Sequence, residues 1–377
     1  MSLHIRRRPL TDTFDTALHP VLERVYRGRS IQSAEQLNTG ARSLLHYRDL
    51  LGCDKAAARI ANAIIEQQPI TIIGDFDADG ATSTALCMLA LGQMGATRVD
   101  YLVPNRFDFG YGLSPQIVEV AAERGTPLII TVDNGISCHA GVQRANELGM
   151  EVIVTDHHLP GETLPAATAI VNPNQPDCNF ASKNLAGVGV AFYLMLALRA
   201  ELEGRDWFTR QGLQVPNLAN LLDIVAVGTV ADVVPLDQNN RILVHQGLQR
   251  IRAGQCRPGI TALLDVAQRH ASRLTATDLG FVIGPRLNAA GRLDDMAAGI
   301  ECLLCSDTME ARARATELDR LNQQRRTIEQ EMKQQAQESL ASIQLDSSAP
   351  PDAIVLFDEH FHQGVIGIVA GRLKDEY

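Results

Sequence analysis

From about residue 70 the chain alternates short runs rich in β-branched residues with longer stretches whose apolar positions recur at helical spacing. The runs Ile70–Ile73, Val99–Val103, Leu128–Val132 and Glu151–Thr155 predict strands, and Ala169–Val171 a weaker fifth. Between them Thr82–Met94, Ser114–Arg124 and Ala140–Leu148 predict helices, closed by Gly95, Gly125 and Gly149. Strand, helix and strand repeated in this way require parallel pairing with right-handed crossovers, hence an open α/β sheet. Such sheets present their ligands outside the carboxyl ends of the strands.

After Asn184 the pattern becomes helix upon helix: Leu185–Glu203, Leu218–Ala231, Asn239–Ala253, Gly259–Ala267, and a long polar stretch near Met309–Leu340 rich in Glu, Arg and Gln. That last stretch predicts a solvated connecting helix. The segment Asp346-Ser347-Ser348-Ala349-Pro350-Pro351-Asp352 predicts a linker, beyond which a strand (Ala353–Phe357) and a glycine-bearing helix open a new unit. The organisation expected is an amino-terminal extension (1–50), an α/β catalytic domain (51–235), a helical connector with a long linking helix (236–345) and the beginning of a further domain (346–377). One strand and one helix cannot enclose a core, so the chain is expected to be a shortened form of something longer.

The composition of the 377 residues, 45% hydrophobic and 21% charged, is that of a globular protein and excludes disordered, collagenous and coiled-coil-only classes. No run reaches the roughly 18 apolar residues of a membrane helix, and Arg6, Arg7 and Arg8 are followed by no apolar signal core, so a cytoplasmic location is expected. Seven scattered cysteines then read as free thiols. Cys302 and Cys305 have half the spacing of a zinc site, but no second pair accompanies them. A net charge of -10 argues against coating nucleic acid by bulk charge. It leaves room for a local groove, and with lysine only at 55, 183, 333 and 374 nearly all positive charge is guanidinium, the group that grips phosphate bidentately.

The chemistry stands at the strand ends. The first strand runs into Gly74-Asp75-Phe76-Asp77-Ala78-Asp79-Gly80, three carboxylates at alternate positions before a helix that Thr82 and Ser83 could help to cap. The third runs into Asp133-Asn134-Gly135, the fourth into Asp156-His157-His158, and Asp232 ends the apolar stretch before it. Acids so crowded repel one another and push their pKa values upward unless a cation holds them. Carboxylates with one or two imidazoles favour manganese or magnesium above zinc, and two such ions form the usual device for cleaving phosphate esters. An EF-hand is excluded, because the twelfth position counted from Asp75 is Leu86 where that loop needs Glu.

Asp75/Asp77/Asp79, Asp133, Asp156-His157-His158 and Asp232 together resemble the motif set of the DHH phosphoesterase superfamily. Val103-Pro104-Asn105-Arg106, Gly110-Tyr111-Gly112-Leu113, Gly228-Thr229-Val230-Ala231-Asp232 and Pro285-Arg286-Leu287-Asn288-Ala289-Ala290-Gly291-Arg292 resemble its RecJ branch, the single-strand-specific exonucleases. The resemblance covers nearly the whole chain. It implies a parallel-sheet DHH domain, the helical connector, and the start of a DHHA1 domain opening at His362-Gln363-Gly364. It further implies two Mn2+ or Mg2+ ions, one on Asp75, Asp77 and Asp133, the other on Asp79, Asp133, His157 and Asp232, with Asp156 and His158 behind them or facing substrate. The activity implied is 5′ to 3′ hydrolysis of single-stranded DNA to 5′ mononucleotides in recombination and repair, with a single-strand-binding protein and a helicase as partners.

Arg106, Arg286, Asn288, Arg292, His362 and Gly364 are the substrate-side residues the same resemblance implies, Asn288 and Arg292 sharing a Gly-bounded loop. The family continues past residue 377 with the rest of DHHA1 and an oligonucleotide-binding barrel, so low affinity and low processivity are expected of this chain. Other uses of the same cage are a phosphodiesterase of short oligonucleotides or cyclic dinucleotides, or a pyrophosphatase. A scaffold without activity is a further alternative, although such relatives usually lose metal carboxylates. A Rossmann-type dehydrogenase fits the sheet but not the loops, because Gly187-Val188-Gly189 is a lone pair inside a helical stretch.

Overall fold

In a computed structural model the structure describes residues 6, 9–10, 18–29, 31–105, 110–342 and 352–376. A short helix α1 (Pro20–Arg27) and three single-turn helices lead to α2 (Cys53–Ile65). The sheet then forms from β1 (Ile70–Ile73), β2 (Val99–Leu102), β3 (Leu128–Val132), β4 (Glu151–Thr155) and β5 (Ala169–Val171). Crossovers α3 (Ala78–Gln93), α4 (Pro115–Glu123) and α5 (His139–Glu147) join the first four strands. All pairs are parallel, in the order β2-β1-β3-β4-β5. Ile70 lies opposite both Val99 and Leu128, so the carboxyl ends of β1, β2 and β3 emerge together. The order reverses at β1, which opens a crevice between the ends of β1 and β3, the place where such sheets hold ligands.

The central strands are apolar on both faces, as parallel strands covered by helices must be. Ile70, Ile72, Leu128, Ile130 and Ile153 point into the larger core beside α2 and α3, whereas Ile129, Val152 and Val154 point into a smaller one beneath α4 and α5. The larger core continues through α6 (Gly187–Gly204), α7 (Trp207–Gln211), α8 (Leu222–Ala231), α9 (Gln238–Arg252) and α10 (Pro258–Val266). It does not break at position 235. A three-residue helix α11 (Ala276–Asp278) passes into a π-helical turn (Leu279–Ile283), then α12 (Gly284–Leu293), α13 (Ala297–Leu304) and the long α14 (Thr308–Ser342). Cys302 and Cys305 are buried free thiols, as the sequence implies. No helix among the described residues is long and apolar enough to cross a membrane.

Three local expectations are corrected. Residues 353–357 form no strand, because a lone extended segment has no neighbour to complete a ladder; Val355 and Phe357 are about nine-tenths exposed at 89% and 90%. The expected loop holding Asn288 and Arg292 is helix α12, which accommodates Pro285 in its first turn where no amide donor is needed. Thr82 and Ser83 lie inside α3, whose amino-terminal cap is Asp77: its carboxylate accepts from the amides of Asp79 and Gly80 at 2.9 and 3.0 Å. Of the expected linker, all but Asp352 lies outside the described residues. Past it, α15 (Ile366–Glu376) packs on α14 through Val365, Val369, Met332 and Ala336.

The close pairing of α8 and α9 depends on Gly247, where a Cβ would overlap the Leu222 carbonyl oxygen. Gly247→Ala is expected to cost roughly 1–3 kcal/mol by overpacking. Gly92 stands exposed in the last turn of α3 with open space around it, so Gly92→Ala should stabilise by up to about 1 kcal/mol. Urea unfolding of both variants measures the two opposite signs.

Candidate metal centre

The loop after β1, the turn after β3 and the carboxyl terminus of α8 deliver acids, and the end of β4 imidazoles, to one point above the crevice. Oxygen atoms of Asp75, Asp77 and Asp133 lie within 4.8 Å of one another, and so do ligand atoms of Asp79, His157 and Asp232. His157 Nε2 stands 3.1 Å from Asp133 Oδ1, 3.6 Å from Asp232 Oδ2 and 3.9 Å from Asp79 Oδ2. Asp133 therefore touches both groups. His158 joins Asp133 and His157 in a third set of the same size.

Backbone geometry fixes each side chain. Asn134 Nδ2 donates to the carbonyls of Ile73 and Val132, at 3.1 and 2.9 Å, tying the end of β1 to the end of β3. The turn this creates holds Asp133 at φ +63°, a left-handed conformation costly for a residue other than glycine and of a kind found at functional sites. Asp79 accepts from the amides of Gly187 and Val188, at 2.6 and 2.9 Å, so the amino terminus of α6 aims its positive end at the cage. Gly187 must be glycine: a Cβ there would lie 2.7 Å from the Asp133 carboxylate oxygen. From sequence alone Gly187 and Val188 read as helix interior. Their signal is the Gly-x-Gly step immediately following Leu185-Ala186, where a helix starts against another backbone.

Electrostatics follow from burial. Asp79, Asp133, Asp75 and Asp156 are at most 4% exposed. Burial, then the Asp77 charge, pushes the Asp75 carboxyl up to about 7. Burial, then Asp77, does the same to Asp232, also to about 7. Asp79 and Asp133 are raised well above the usual carboxylate range, first by burial and then by a neighbouring acid, Asp232 and Asp79 respectively. Burial also lowers His157, and the adjacent His158 adds to that, which keeps the imidazole neutral and able to donate a lone pair.

Asp156 behaves differently. Burial would raise it, but the His158 ring and the amides of Ile136 and His158 outweigh that and hold it below the usual range. Its carboxylate lies 2.7 Å from His158 Nδ1 and carries that imidazole up to about 9. The carboxylate thus orients the His158 ring and also accepts from the His157 amide at 2.7 Å, while Asn174 Nδ2 donates to the His157 carbonyl at 2.6 Å. Tyr111 closes this side, its hydroxyl donating to the Asp133 carbonyl at 3.3 Å.

Among the described residues, buried Asp133 Oδ1, His157 Nε2 and Asp232 Oδ2 find no hydrogen-bond partner. Acceptor atoms without donors, aimed at one another, are the arrangement a divalent cation satisfies. The donor set of carboxylates and one or two imidazoles fits manganese or magnesium.

The substrate-side residues divide. Asn288 Oδ1 accepts from the Ala78 amide at 2.7 Å, which brings α12 directly against the cage loop. Arg292 donates to the Gly364 carbonyl at 3.0 Å, and the Gly364 amide donates to His362 Nδ1 at 3.1 Å, so these three meet. Arg286 turns away, paired with Asp319 of α14 at 2.7 Å and donating to the Val282 carbonyl. Arg106 lies outside the described residues.

Comparison with known proteins places the chain in a family. The model of the DHH family, N-terminal domain, matches residues 69–229. The single-stranded-DNA-specific exonuclease RecJ of Escherichia coli K12 is 55% identical over all 377 residues, which span 65% of its length. A crystal structure of exonuclease RecJ bound to manganese superposes with a TM-score of 0.74 at 39% identity, covering 87% of this chain and 78% of that one. RecJ from Thermus thermophilus in complex with Mn2+ gives a TM-score of 0.76 at 37% identity, over 93% of this chain and 48% of the other. The chain belongs to the RecJ family of DHH proteins.

Proposed function

We propose that this chain hydrolyses phosphodiester bonds of single-stranded DNA from the 5′ end, releasing 5′ mononucleotides, with two manganese or magnesium ions. One observation carries the reading: acids from three segments and an imidazole from a fourth converge into two ligand sets that meet at Asp133. Asp75, Asp77 and Asp133 would hold one ion, and Asp79, Asp133, His157 and Asp232 the other. Bound ions of this kind supply Lewis acidity and lower the pKa of water at neutral pH. The rest falls to the chain. The α6 amides keep Asp79 aimed, Asn134 sets the separation of the β1 and β3 acids, and the Asp156 carboxylate keeps His158 charged at the half-exposed mouth. A cation there suits the phosphate of an approaching strand. The relatives whose length this chain spans to 65% are named exonucleases, which supports the substrate class. A single-strand-binding protein, a helicase and a cytoplasmic setting belong to the same reading.

Asp133→Asn is the sharpest test, because asparagine tolerates the left-handed backbone that Asp133 adopts. Hydrolysis of a long 5′-labelled single strand should fall on the order of 10³-fold, and manganese binding by calorimetry should weaken with it. Cleavage of dinucleotides alone by the unaltered chain would overturn the substrate class.

The raised carboxyls set a pH dependence. Asp75 and Asp232 hold their protons to about pH 7 when folded but release them near 4 when unfolded. Between those values the folded state binds more protons, so stability falls as pH rises. Without metal, the melting temperature should drop from pH 5 to pH 8 as far as these groups are concerned. Added manganese should raise it more at pH 8 than at pH 5, because the ligands must be deprotonated to bind. Calorimetric scans with and without manganese check both signs.

A further inference from the structure

The pair His157-His158 stands in a stretch without regular structure between β4 and β5, and among the described residues neither histidine exchanges a backbone–backbone hydrogen bond. The two rings nevertheless take fixed and different directions. His157 Nε2 points to Asp133 and Asp232, while His158 stands half-exposed at the mouth, the ring centroids 4.5 Å apart and tilted by 52°. Adjacent side chains can be aimed at two places only if both peptide planes are held, because turning a plane swings the Cα–Cβ bond beside it. Side chains from outside the pair hold both planes.

The Asp156 carboxylate accepts from the two amides, at 2.7 and 3.0 Å. Two asparagines take the carbonyls. Directly past β5, Asn172 Nδ2 donates to the His158 carbonyl at 3.0 Å and Asn174 Nδ2 to the His157 carbonyl at 2.6 Å. These asparagines are themselves anchored. Asn172 is fully buried; its Oδ1 accepts from the Asn174 amide at 2.7 Å, and its carbonyl accepts from the Gln175 amide at 3.3 Å, closing a turn with Pro173 in second place. Gln175 Nε2 returns to the Ile170 carbonyl of β5 at 2.9 Å. Lys183 Nζ secures the Pro173 carbonyl at 2.6 Å and the Cys178 carbonyl at 2.7 Å, and the Lys183 carbonyl accepts from Asn174 Nδ2 at 3.2 Å. The turn after β5 is thus a latch closed over the backbone of both histidines.

We propose that Asn172 and Asn174, with Lys183 behind them, are positioning residues that aim the His157 imidazole and thereby set the preference of the centre for manganese over magnesium. The proposal rests on the two-ion reading above and adds to it the residues that fix its nitrogen ligand. Manganese accepts imidazole nitrogen alongside oxygen, whereas magnesium takes oxygen ligands in near-ideal octahedra and keeps water where one is missing. The aim of a nitrogen therefore matters to one ion and little to the other. The carboxylates of Asp77 and Asp79 are held separately, by amides of α3 and α6, so loosening the latch leaves them in place.

Calorimetric titration with manganese and, separately, with magnesium reads this preference without turnover. Asn174→Ala should weaken manganese binding about tenfold to a hundredfold, the effect of removing a group that orients a ligand, and magnesium binding far less, so that the ratio of the two affinities falls about tenfold. Lys183→Met, at an exposed position, should lower the ratio by a smaller factor, and Lys183→Arg, which keeps a donor there, should retain it. Should Asn174→Ala fail to fold, the Lys183 pair carries the test alone. A turn that serves only stability would lower the melting temperature and weaken both ions alike; that result overturns the proposal, and so does an unaltered ratio. In either case, degradation of a long single strand by the unaltered chain with manganese leaves the functional reading standing. If the unaltered chain binds neither ion, both are overturned.

Discussion

Like charges buried at the switch point of a parallel sheet are the constraint around which this molecule is arranged. Two carboxylates about 4 Å apart repel by roughly 4 kcal/mol at an effective dielectric near 20, and Asp75, Asp77, Asp79, Asp133 and Asp232 form several such pairs. Among the described residues no guanidinium or ammonium group pairs with them to neutralise that repulsion. Of the two imidazoles at the cage, His157 is lowered in pKa and contributes little positive charge, while the charged His158 sits at its mouth on Asp156 and offsets the repulsion only in part. The fold thus keeps a site that is electrostatically unfavourable until a cation enters. It has to be rigid enough not to relax by turning the acids outward.

That rigidity comes from backbone hydrogen bonds made by the acids and by their neighbours. Asp77 caps α3, Asp79 caps α6 from outside, Asp75 accepts from the Phe76 amide, and Asp156 accepts from the amides of Ile136, His157 and His158. Two helix amino termini therefore face the anionic cage and offset part of its charge. Asp232 is the exception, since it follows the carboxyl end of α8, where the helix dipole is negative. Burial, then the Asp77 charge, raises its carboxyl, and no amino terminus faces it to offset that.

Much of this is legible in the sequence, because it is local. The strand bounds of β1, β3, β4 and β5 match the β-branched runs, and an acid one or two residues past each of β1, β3 and β4 has nowhere else to point. What cannot be read depends on partners distant in the chain. Gly187 is intelligible only once Asp79 and Asp133 are known to lie against it. The pairing of Arg286 with Asp319 needs the packing of α12 on α14. The run Pro285–Arg292 reads as a loop for its proline and glycine. Yet Pro285 starts a helix, and Gly291 is there because its Cα abuts the Phe76 carbonyl oxygen. A π-helical turn has no hydropathy signature at all, so nothing in the sequence singles out the one over Leu279–Ile283.

Helix α12 links the two halves of the molecule that nucleic acid chemistry would need. Its inner face meets the loop of Asp75 to Asp79 through Asn288 and Gly291, and its outer face carries Arg292 to the Gly364 carbonyl and to the cavity lined by Arg325, Arg326, Lys333 and Arg372. Glu329, shared by Arg325 of α14 and Arg372 of α15, fastens the outer wall to the long helix. A carboxylate placed there lowers the local positive charge, which by itself weakens attraction for phosphate. Its presence makes sense if orientation matters more than charge: without it Arg325 and Arg372 would repel, and α15 would keep only the Lys333–Glu376 pair and its apolar contacts to hold it on α14. The surface that remains is still strongly positive and is held in register with the acids by one rigid helix.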